Sequence, residues 1–402
     1  MTATLETRFR RAHRRLRTCA VTGTNGKTST TSFIASMLGA AGPTGKVTTL
    51  GAEVDGEPIK GEGTEQFLRF VERAVERGVH AVAIEMTSKA LASGLARRWR
   101  PHVAVFTNLS HDHLEMHGSA EAYLAAKAQL FMALLPSGTA VLNADEPTSA
   151  LIDEVIRPDV RRIWYGRGDG ERPVDLRYQV QTHGDELLLG VRGLHWRKGA
   201  TLRVNAEGTF QGPNVAAAMC TASVIGVGSE AIERGLCMDH GLSGRFDVVS
   251  REPFVVVDYA HSPDALAKVL KSMRDQTSAR LHCVFGCGGD RDRDKRPAMG
   301  AVADDLADVV WLTSDNPRSE DPMAIAQAVL PEATRAEWCV ELDRAAAIVR
   351  AIESARPGDA VLVAGKGHEA IQEGATRVPF DDRAVALAAL EGAQLRLQKR
   401  GA

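Results

Sequence analysis

The sequence predicts an α/β protein of two domains in tandem, and three observations carry that prediction. Short apolar runs alternate with helical patterns from residue 18 to about 165, which is the rhythm of a mainly parallel sheet with crossover helices. The alternation breaks at Gly241 to Gly244 and then restarts, so a boundary falls there. At 402 residues the chain is long enough for two or three domains, each with a sizeable core.

Taken in order, residues 1–17 carry Arg8, Arg10, Arg11, Arg14, Arg15 and Arg17 and read as a basic N-terminal extension. One or two solvated helical turns are expected there, with a patch for an anionic partner as the alternative. In the first domain, 18–243, strands are expected at 18–22, 80–86, 102–107, 139–143 and 161–165, with helices near 27–41, 65–78, 119–135 and 146–156. Residues 174–204 read as an antiparallel addition of short strands with turns at Gly184, Gly193 and Gly199, followed by helices at 213–226 and 229–239. The second domain, 244–402, places strands at 253–258, 281–285, 308–313, 337–341 and 359–364. Helices are expected between them at 263–274, 296–306, 322–330 and 343–353, with a last one from about 383. Its rhythm is Rossmann-like, but no Gly-x-Gly-x-x-Gly follows its first strand.

Composition narrows the function classes. Hydrophobic content of 44% and charged content of 25% are those of an ordinary globular protein. Forty-nine basic residues face 51 acidic ones, which gives no support to a nucleic-acid surface. The six cysteines are scattered, and Cys283 and Cys287 alone make poor zinc spacing, so reduced thiols are expected. No stretch is long and apolar enough to span a membrane, and no apolar leader follows the N-terminal arginines. A cytoplasmic location is the expectation.

The chemistry-bearing stretch is Val21-Thr22-Gly23-Thr24-Asn25-Gly26-Lys27-Thr28-Ser29, between the first strand and the first helix. Gly23 and Gly26 let the backbone curl so that its N–H groups converge on an anion at the helix N-terminus. Lys27 is placed to reach β/γ-phosphates, and the Thr28 hydroxyl to meet Mg²⁺. Val21 stands where the general Walker pattern has its first glycine. Glu85 closes the strand 80–86, at the carboxyl end where ligands of a parallel sheet gather, and is either a Mg²⁺ ligand or a helix-capping carboxylate. Thr107-Asn108-Leu109-Ser110-His111-Asp112-His113-Leu114 follows another strand end, and Lys127 comes fourteen residues after His113. Lys127 is either a snorkelling side chain or, beside a cation, a lysine able to be carbamylated into an anionic oxygen ligand. In the second domain three loops follow strand ends: Gly288 to Pro297, Ser314 to Arg318, and Gly365 to Glu369. Loops at the carboxyl ends of one parallel sheet are expected to share a crevice, where an arginine fork can bind a carboxylate and an acid can pair with an amine.

These motifs, in this order, resemble the Mur ligases, and within them the MurE branch. The features that carry the resemblance are Gly-Thr-Asn-Gly-Lys-Thr, Glu85, Thr-Asn-Leu-Ser-His-Asp-His-Leu, Lys127, Asn143-Ala144-Asp145, Gly208 to Asn214, Gly244-Arg245, Asp258-Tyr259-Ala260-His261 and Asp315-Asn316-Pro317-Arg318. The resemblance runs from about residue 18 to 396. It implies a P-loop central ATPase domain followed by a C-terminal amino-acid-binding domain that closes over the site and excludes water. It also implies an ATP-dependent ligase that joins an amino acid to a carboxylate through an acyl-phosphate. By matching position, Gly23, Thr24, Asn25, Gly26, Lys27, Thr28 and Ser29 cradle ATP phosphates. Two Mg²⁺ ions are held by Thr28, Glu85, His113 and carbamylated Lys127, Asn214 reads adenine, and Arg245 contacts the γ-phosphate beside Asp258. Dispersal of the charge that builds on the transferred phosphoryl group falls to Lys27, Arg245 and the cations. Arg291, Asp315, Asn316, Arg318, Gly365 and Glu369 match positions that bind meso-diaminopimelate, so that zwitterion or a close relative is the expected donor.

The sequence departs from the family pattern on the acceptor side. Gln211 stands where the family usually has an asparagine, and the muramoyl-binding stretches are reduced to Gly61-Glu62-Gly63-Thr64-Glu65 and Thr87-Ser88-Lys89-Ala90-Leu91, with Ser93 and Leu95 following. Thr64 and Ser88 survive. About 20 residues precede the phosphate loop, where the family has a separate uridine-binding domain. The expectation is therefore a non-UDP carboxylate acceptor, free or supplied by a partner protein. The alternatives are a true UDP-MurNAc-tripeptide synthetase and a non-catalytic ATP-binding subunit.

Overall fold

The computed structural model describes residues 5–110, 117–183, 186–332 and 334–401. They divide into two compact units, one reaching to Ser110 and resuming at His117–Gly241, the other covering Leu242 onward.

The first unit is built on an eleven-stranded sheet. Its strands are β1 (Arg17–Thr22), β2 (Thr44–Thr48), β3 (Gly51–Val54), β4 (Glu57–Pro58), β5 (Ala81–Glu85), β6 (Val103–Phe106), β7 (Thr139–Asn143), β8 (Arg161–Gly166), β9 (Leu176–His183), β10 (Glu186–Gly193) and β11 (Trp196–Val204). They lie in the order β11-β10-β9-β8-β7-β6-β1-β5-β2-β3-β4. The centre is parallel: β1 pairs with β5 and β6, with Val21 opposite Glu85 and Thr22 opposite Phe106. Both edges are antiparallel. Central strands buried on both faces read as continuous apolar runs, which is why Ala81 to Ile84 and Val103 to Phe106 announce themselves in sequence. Side chains alternate between the faces. Ala20, Val82, Ile84, Ala104, Phe106, Ala140 and Leu142 share one core with Phe67, Phe70, Trp99, Leu130 and Phe131.

The structure corrects the sequence reading at several places. Within the described residues 5–17 the expected solvated helical turns bury one face. Phe9, Ala12 and Leu16 are buried, and Phe9 stacks on Phe67 with ring centroids 5.8 Å apart and meets Trp99 at 6.1 Å. The arginines of the helix Leu5–His13 lie on the opposite, solvent side, where Arg8 pairs with Glu72 at 2.7 Å. Arg17 itself opens β1. Gly199 is not a turn: with φ +87° it lies inside β11, opposite the register shift between Val191 and Gly193, and marks a bulge. The strands β2, β3 and β4 carry no clear sequence signal because they are short and polar; β2 is ordered against β5, β3 against β2 and β4 against β3.

The second unit holds a six-stranded sheet of β12 (Asp247–Arg251), β13 (Phe254–Asp258), β14 (Leu281–Phe285), β15 (Val309–Leu312), β16 (Glu337–Val340) and β17 (Ala360–Ala364), ordered β12-β13-β17-β14-β15-β16. All but β12 are parallel, so the carboxyl ends of β13, β14, β15 and β17 lie along one edge. Val255, Val257, Val284, Val361 and Val363 pack on Ala347, Ile348, Ala351 and Ala386. A small hairpin, β18 (Ile371–Glu373) with β19 (Arg377–Pro379), follows the β17 loop and was also missed. Among the described residues no helix is long and apolar enough to cross a membrane.

Candidate active site

In the first unit the loop after β1 is shaped by two glycines. Gly23 has φ +151° and Gly26 φ +81°. A Cβ on Gly26 would fall 2.1 Å from Asn214 Oδ1, and one on Gly23 would fall 1.9 Å from Thr107 Oγ1. The left-handed backbone of Gly26 costs another residue only about 1 kcal/mol. The overlap with a buried, hydrogen-bonded asparagine is the larger obstacle. Asn214 Nδ2 donates to Gln211 Oε1 at 2.8 Å, and Thr30 Oγ1 donates to Asn214 Oδ1 at 3.4 Å, so the asparagine expected to read adenine also braces the loop.

The loop is stitched to the segment after β6. Thr24 N–H donates to the Asn108 carbonyl at 2.8 Å, and Asn25 N–H to Asn108 Oδ1 at 2.9 Å. Asn108 Nδ2 and Thr107 Oγ1 both donate to the Asn25 carbonyl, at 3.0 and 2.7 Å. Asn143 Nδ2 in turn holds the Thr107 carbonyl at 2.8 Å. Lys27 Nζ reaches the Thr24 carbonyl at 2.6 Å, and Ser29 is buried on the helix's first turn.

Beside this cradle, Thr28 Oγ1 donates to Glu85 Oε2 at 2.9 Å, and the same oxygen accepts the Thr49 N–H at 3.2 Å. Lys127 is 1% exposed, its Nζ donating to the Gly23 carbonyl at 2.7 Å and lying 3.9 Å over the Tyr123 ring. His113 lies outside the described residues. Among those described, no three His, Cys, Asp or Glu side chains gather around one point. That donor set, one carboxylate with a threonine hydroxyl, fits Mg²⁺, which keeps several waters and takes its other ligands from substrate phosphates. It would not hold Zn²⁺. Of the acceptor-side pair, Ser88 is buried at the start of the helix Ser88–Ala92, while Thr64 is exposed on the first turn of the helix Gly63–Glu76.

The second unit gathers its expected residues at the carboxyl ends of its strands. Asn316 is central: its Nδ2 donates to Glu369 Oε2 at 3.0 Å, and its Oδ1 accepts Lys366 Nζ and the Glu373 N–H, both at 2.9 Å. Lys366, fully buried, also donates to the Ile371 carbonyl at 2.7 Å. A Cβ on Gly365 would lie 2.9 Å from Asp315 Oδ2, and one on Gly288 would meet Arg318 Nη1 at 3.1 Å and Arg291 Cγ at 3.5 Å. Arg318, at φ +53°, donates Nε to Glu373 at 3.2 Å and Nη1 to the Gly289 carbonyl at 2.7 Å.

Arg245 joins the same cluster through Tyr259. Its guanidinium sits 4.3 Å over the ring, and the Tyr259 hydroxyl donates to Glu369 Oε1 at 3.3 Å. Asp258 accepts the Phe246 and Ala260 N–H groups at 2.6 and 2.7 Å. Burial pushes the Asp258 carboxyl above the usual range, with Arg245 and those two N–H groups opposing. Thr49, Asn108, Tyr259, Lys366 and Glu373 were not singled out from the sequence. Asn108, Tyr259 and Lys366 stand inside motifs already quoted, whereas Thr49 follows an unread strand and carried no signal.

A glycine-shaped strand–loop–helix cradle next to a Thr–Glu pair, on a chain whose second sheet bears a polar cluster at its strand ends, is the arrangement of the ATP-dependent ligases that form C–N bonds and release ADP. Residues 21–222 match the Mur ligase middle domain and 244–367 the Mur ligase glutamate ligase domain, so the chain belongs to the Mur ligases. Its similarity is of the MurE type. It is 39% identical over 389 residues to the UDP-N-acetylmuramoyl-L-alanyl-D-glutamate–2,6-diaminopimelate ligase of Gloeobacter violaceus, covering 94% of this chain and 78% of that one. The enzyme of that name from Solibacter usitatus is 41% identical over 398 residues, 96% of this chain and 79% of the other. A solved ligase of the same name superposes with a TM-score of 0.65 at 31% identity, over 98% of this chain and 84% of that one. Mycobacterium tuberculosis folylpolyglutamate synthase, solved with ADP and AMPPCP, shares the fold at a TM-score of 0.72 and 19% identity, over 96% and 95%.

Gly26→Ala is expected to weaken ADP binding at least about tenfold by calorimetry while the protein still folds, because the added Cβ displaces Asn214 from the loop. Wild-type affinity would show that the cradle tolerates a side chain there.

Proposed function

We propose that this chain adds meso-diaminopimelate, or a close zwitterionic relative, to the D-glutamate carboxylate of UDP-MurNAc-L-Ala-D-Glu at the expense of ATP. The observation that carries this reading is the Asn316–Glu369–Lys366 network beside Arg318, with Arg291 on the neighbouring loop after β14. It occurs in a chain about 40% identical, over nearly its whole length, to enzymes named for that reaction. In this reading the similarity outweighs the expectation of a non-UDP acceptor.

Each group then has a task. The loop Gly23 to Thr28 cradles the phosphates, its curve fixed where Asn108 takes the Thr24 and Asn25 N–H groups, and Lys27 disperses charge on the transferred phosphoryl group. Thr28 and Glu85, with His113 and Lys127, are the residues that would hold Mg²⁺, which neutralises phosphate charge when bound. Arg318 and Arg291 supply guanidinium donors for a donor carboxylate, and Asp315 and Glu369 supply acceptors for its ammonium groups. Asn214 serves adenine, and Arg245 the γ-phosphate, steadied by Tyr259 and Asp258.

A second reading keeps the chemistry and changes the acceptor to another carboxylate, free or presented by a partner protein. The departures at Lys89, Ser93 and Leu95 favour it, since Ser93 Oγ is turned to its own helix, donating to the Ala90 carbonyl at 2.8 Å.

The deciding assay is phosphate release with Mg-ATP, meso-diaminopimelate and UDP-MurNAc-L-Ala-D-Glu, run beside the same mixture with small free carboxylates. Turnover with the UDP substrate is expected. Turnover only with another carboxylate establishes the second reading, and nucleotide binding without any turnover makes the chain a silent ATP-binding subunit. Lys127 is expected to be carbamylated, its remaining N–H still donating to the Gly23 carbonyl. Labelled bicarbonate should give a carbamate resonance that disappears in Lys127→Arg, and a spectrum without it would leave Lys127 as a cationic strut.

A further inference from the structure

We propose that Arg344, paired with Asp382, is a positioning residue for the amino-acid donor, setting the spacing of the two loops that carry Asp315, Asn316, Gly365 and Glu369. The proposal rests on the donor reading of that cluster. Arg344 opens the helix Arg344–Ser354 and Asp382 opens the helix Asp382–Gly401. Both side chains are 0% exposed, and they meet as a two-pronged fork, Nε to Oδ1 and Nη2 to Oδ2, each at 2.7 Å.

What the remaining donors do is the informative part. Nη2 also donates to the Ala364 carbonyl at 2.9 Å, and Nη1 to the Ser314 carbonyl at 3.4 Å. Ala364 is the last residue of β17 and immediately precedes Gly365, while Ser314 immediately precedes Asp315. One planar guanidinium therefore clamps the backbone just upstream of both loops. At the clamp, a Cβ on Gly365 would stand 3.9 Å from Arg344 Nη2 and 2.9 Å from Asp315 Oδ2. Burial works against the Arg344 charge, yet Asp382, and further off Asp315 and Glu369, hold its pKa above the ordinary arginine value.

A fully buried ion pair is poorly explained by stability alone, because an apolar pair of similar volume often serves the fold equally well or better. Lysine, with three donors and no planar fork, could not make the two-pronged bond to Asp382 and still serve both carbonyls. Fixing the shell behind a binding site is a task that needs this geometry.

The test separates folding from positioning. In Arg344→Met/Asp382→Leu the charges leave together, so thermal stability should stay near wild type. The amides of 314–316, 318 and 364–369 should nonetheless exchange with deuterium about tenfold faster. The KM for meso-diaminopimelate should rise about tenfold and that for ATP stay within about twofold. Arg344→Lys, which keeps the buried charge pair, should show the same loosening and the same donor-specific rise. Wild-type exchange in these loops, or donor and ATP KM values rising together, would overturn the proposal. If the double variant does not fold, Arg344→Lys decides by the same two readouts. If wild type turns over no meso-diaminopimelate, the donor reading fails, and the exchange rates alone still decide the clamp.

Discussion

Everything in the first unit depends on holding a run of backbone N–H groups in a tight curve at the end of β1. Such a curve is unfavourable in isolation, since it gathers like-oriented dipoles and requires positive φ at Gly26. Here it is held from outside. Asn108 and Thr107 take up the Thr24 and Asn25 backbone from one side, Asn214 presses against Gly26, and Lys127 reaches in to the Gly23 carbonyl. The strand order β6-β1-β5 makes this possible, because the neighbours of β1 deliver their own carboxyl ends to the same place. Glu85 arrives opposite Val21 by register alone.

The second unit holds its polar cluster with the same architecture. Long charged side chains on loops lose their mutual spacing easily. The cluster is rigidified by burying its linkers: Lys366 and Asn316 are covered, and they tie the β15 and β17 loops to the β18–β19 hairpin. Breaking a buried pair such as Arg344–Asp382 by removing one partner costs about 3–5 kcal/mol. That is a large part of the stability of a typical domain.

Much of this was readable in the chain. The parallel strands are continuous apolar runs, and a strand–loop–helix order is visible in one dimension. The sequence points to Gly23, Gly26, Lys27, Thr28 and Glu85 that way, and the structure brings them together. What was not readable depends on partners distant in sequence. Thr49 follows a polar strand that exists because β5 is beside it. The helix Leu5–His13 looks basic and solvated until Phe9 finds Phe67 and Trp99. Gly199 looks like a turn residue because a bulge needs the same backbone freedom. Arg344 and Asp382, 38 positions apart, reveal themselves only as a pair. The uneven acceptor side drew the sequence reading toward another substrate, against the weight of similarity along the rest of the chain.

The central claim is that Thr28 and Glu85 complete a Mg²⁺–nucleotide site on the β1 loop. The direct measurement is calorimetric titration of ADP into wild type and Glu85→Gln, with and without Mg²⁺. The account predicts that Mg²⁺ strengthens ADP binding in wild type and that most of this gain, at least about tenfold, is lost in Glu85→Gln, while Mg²⁺-free affinity is unchanged. An equal Mg²⁺ effect in both proteins would contradict it.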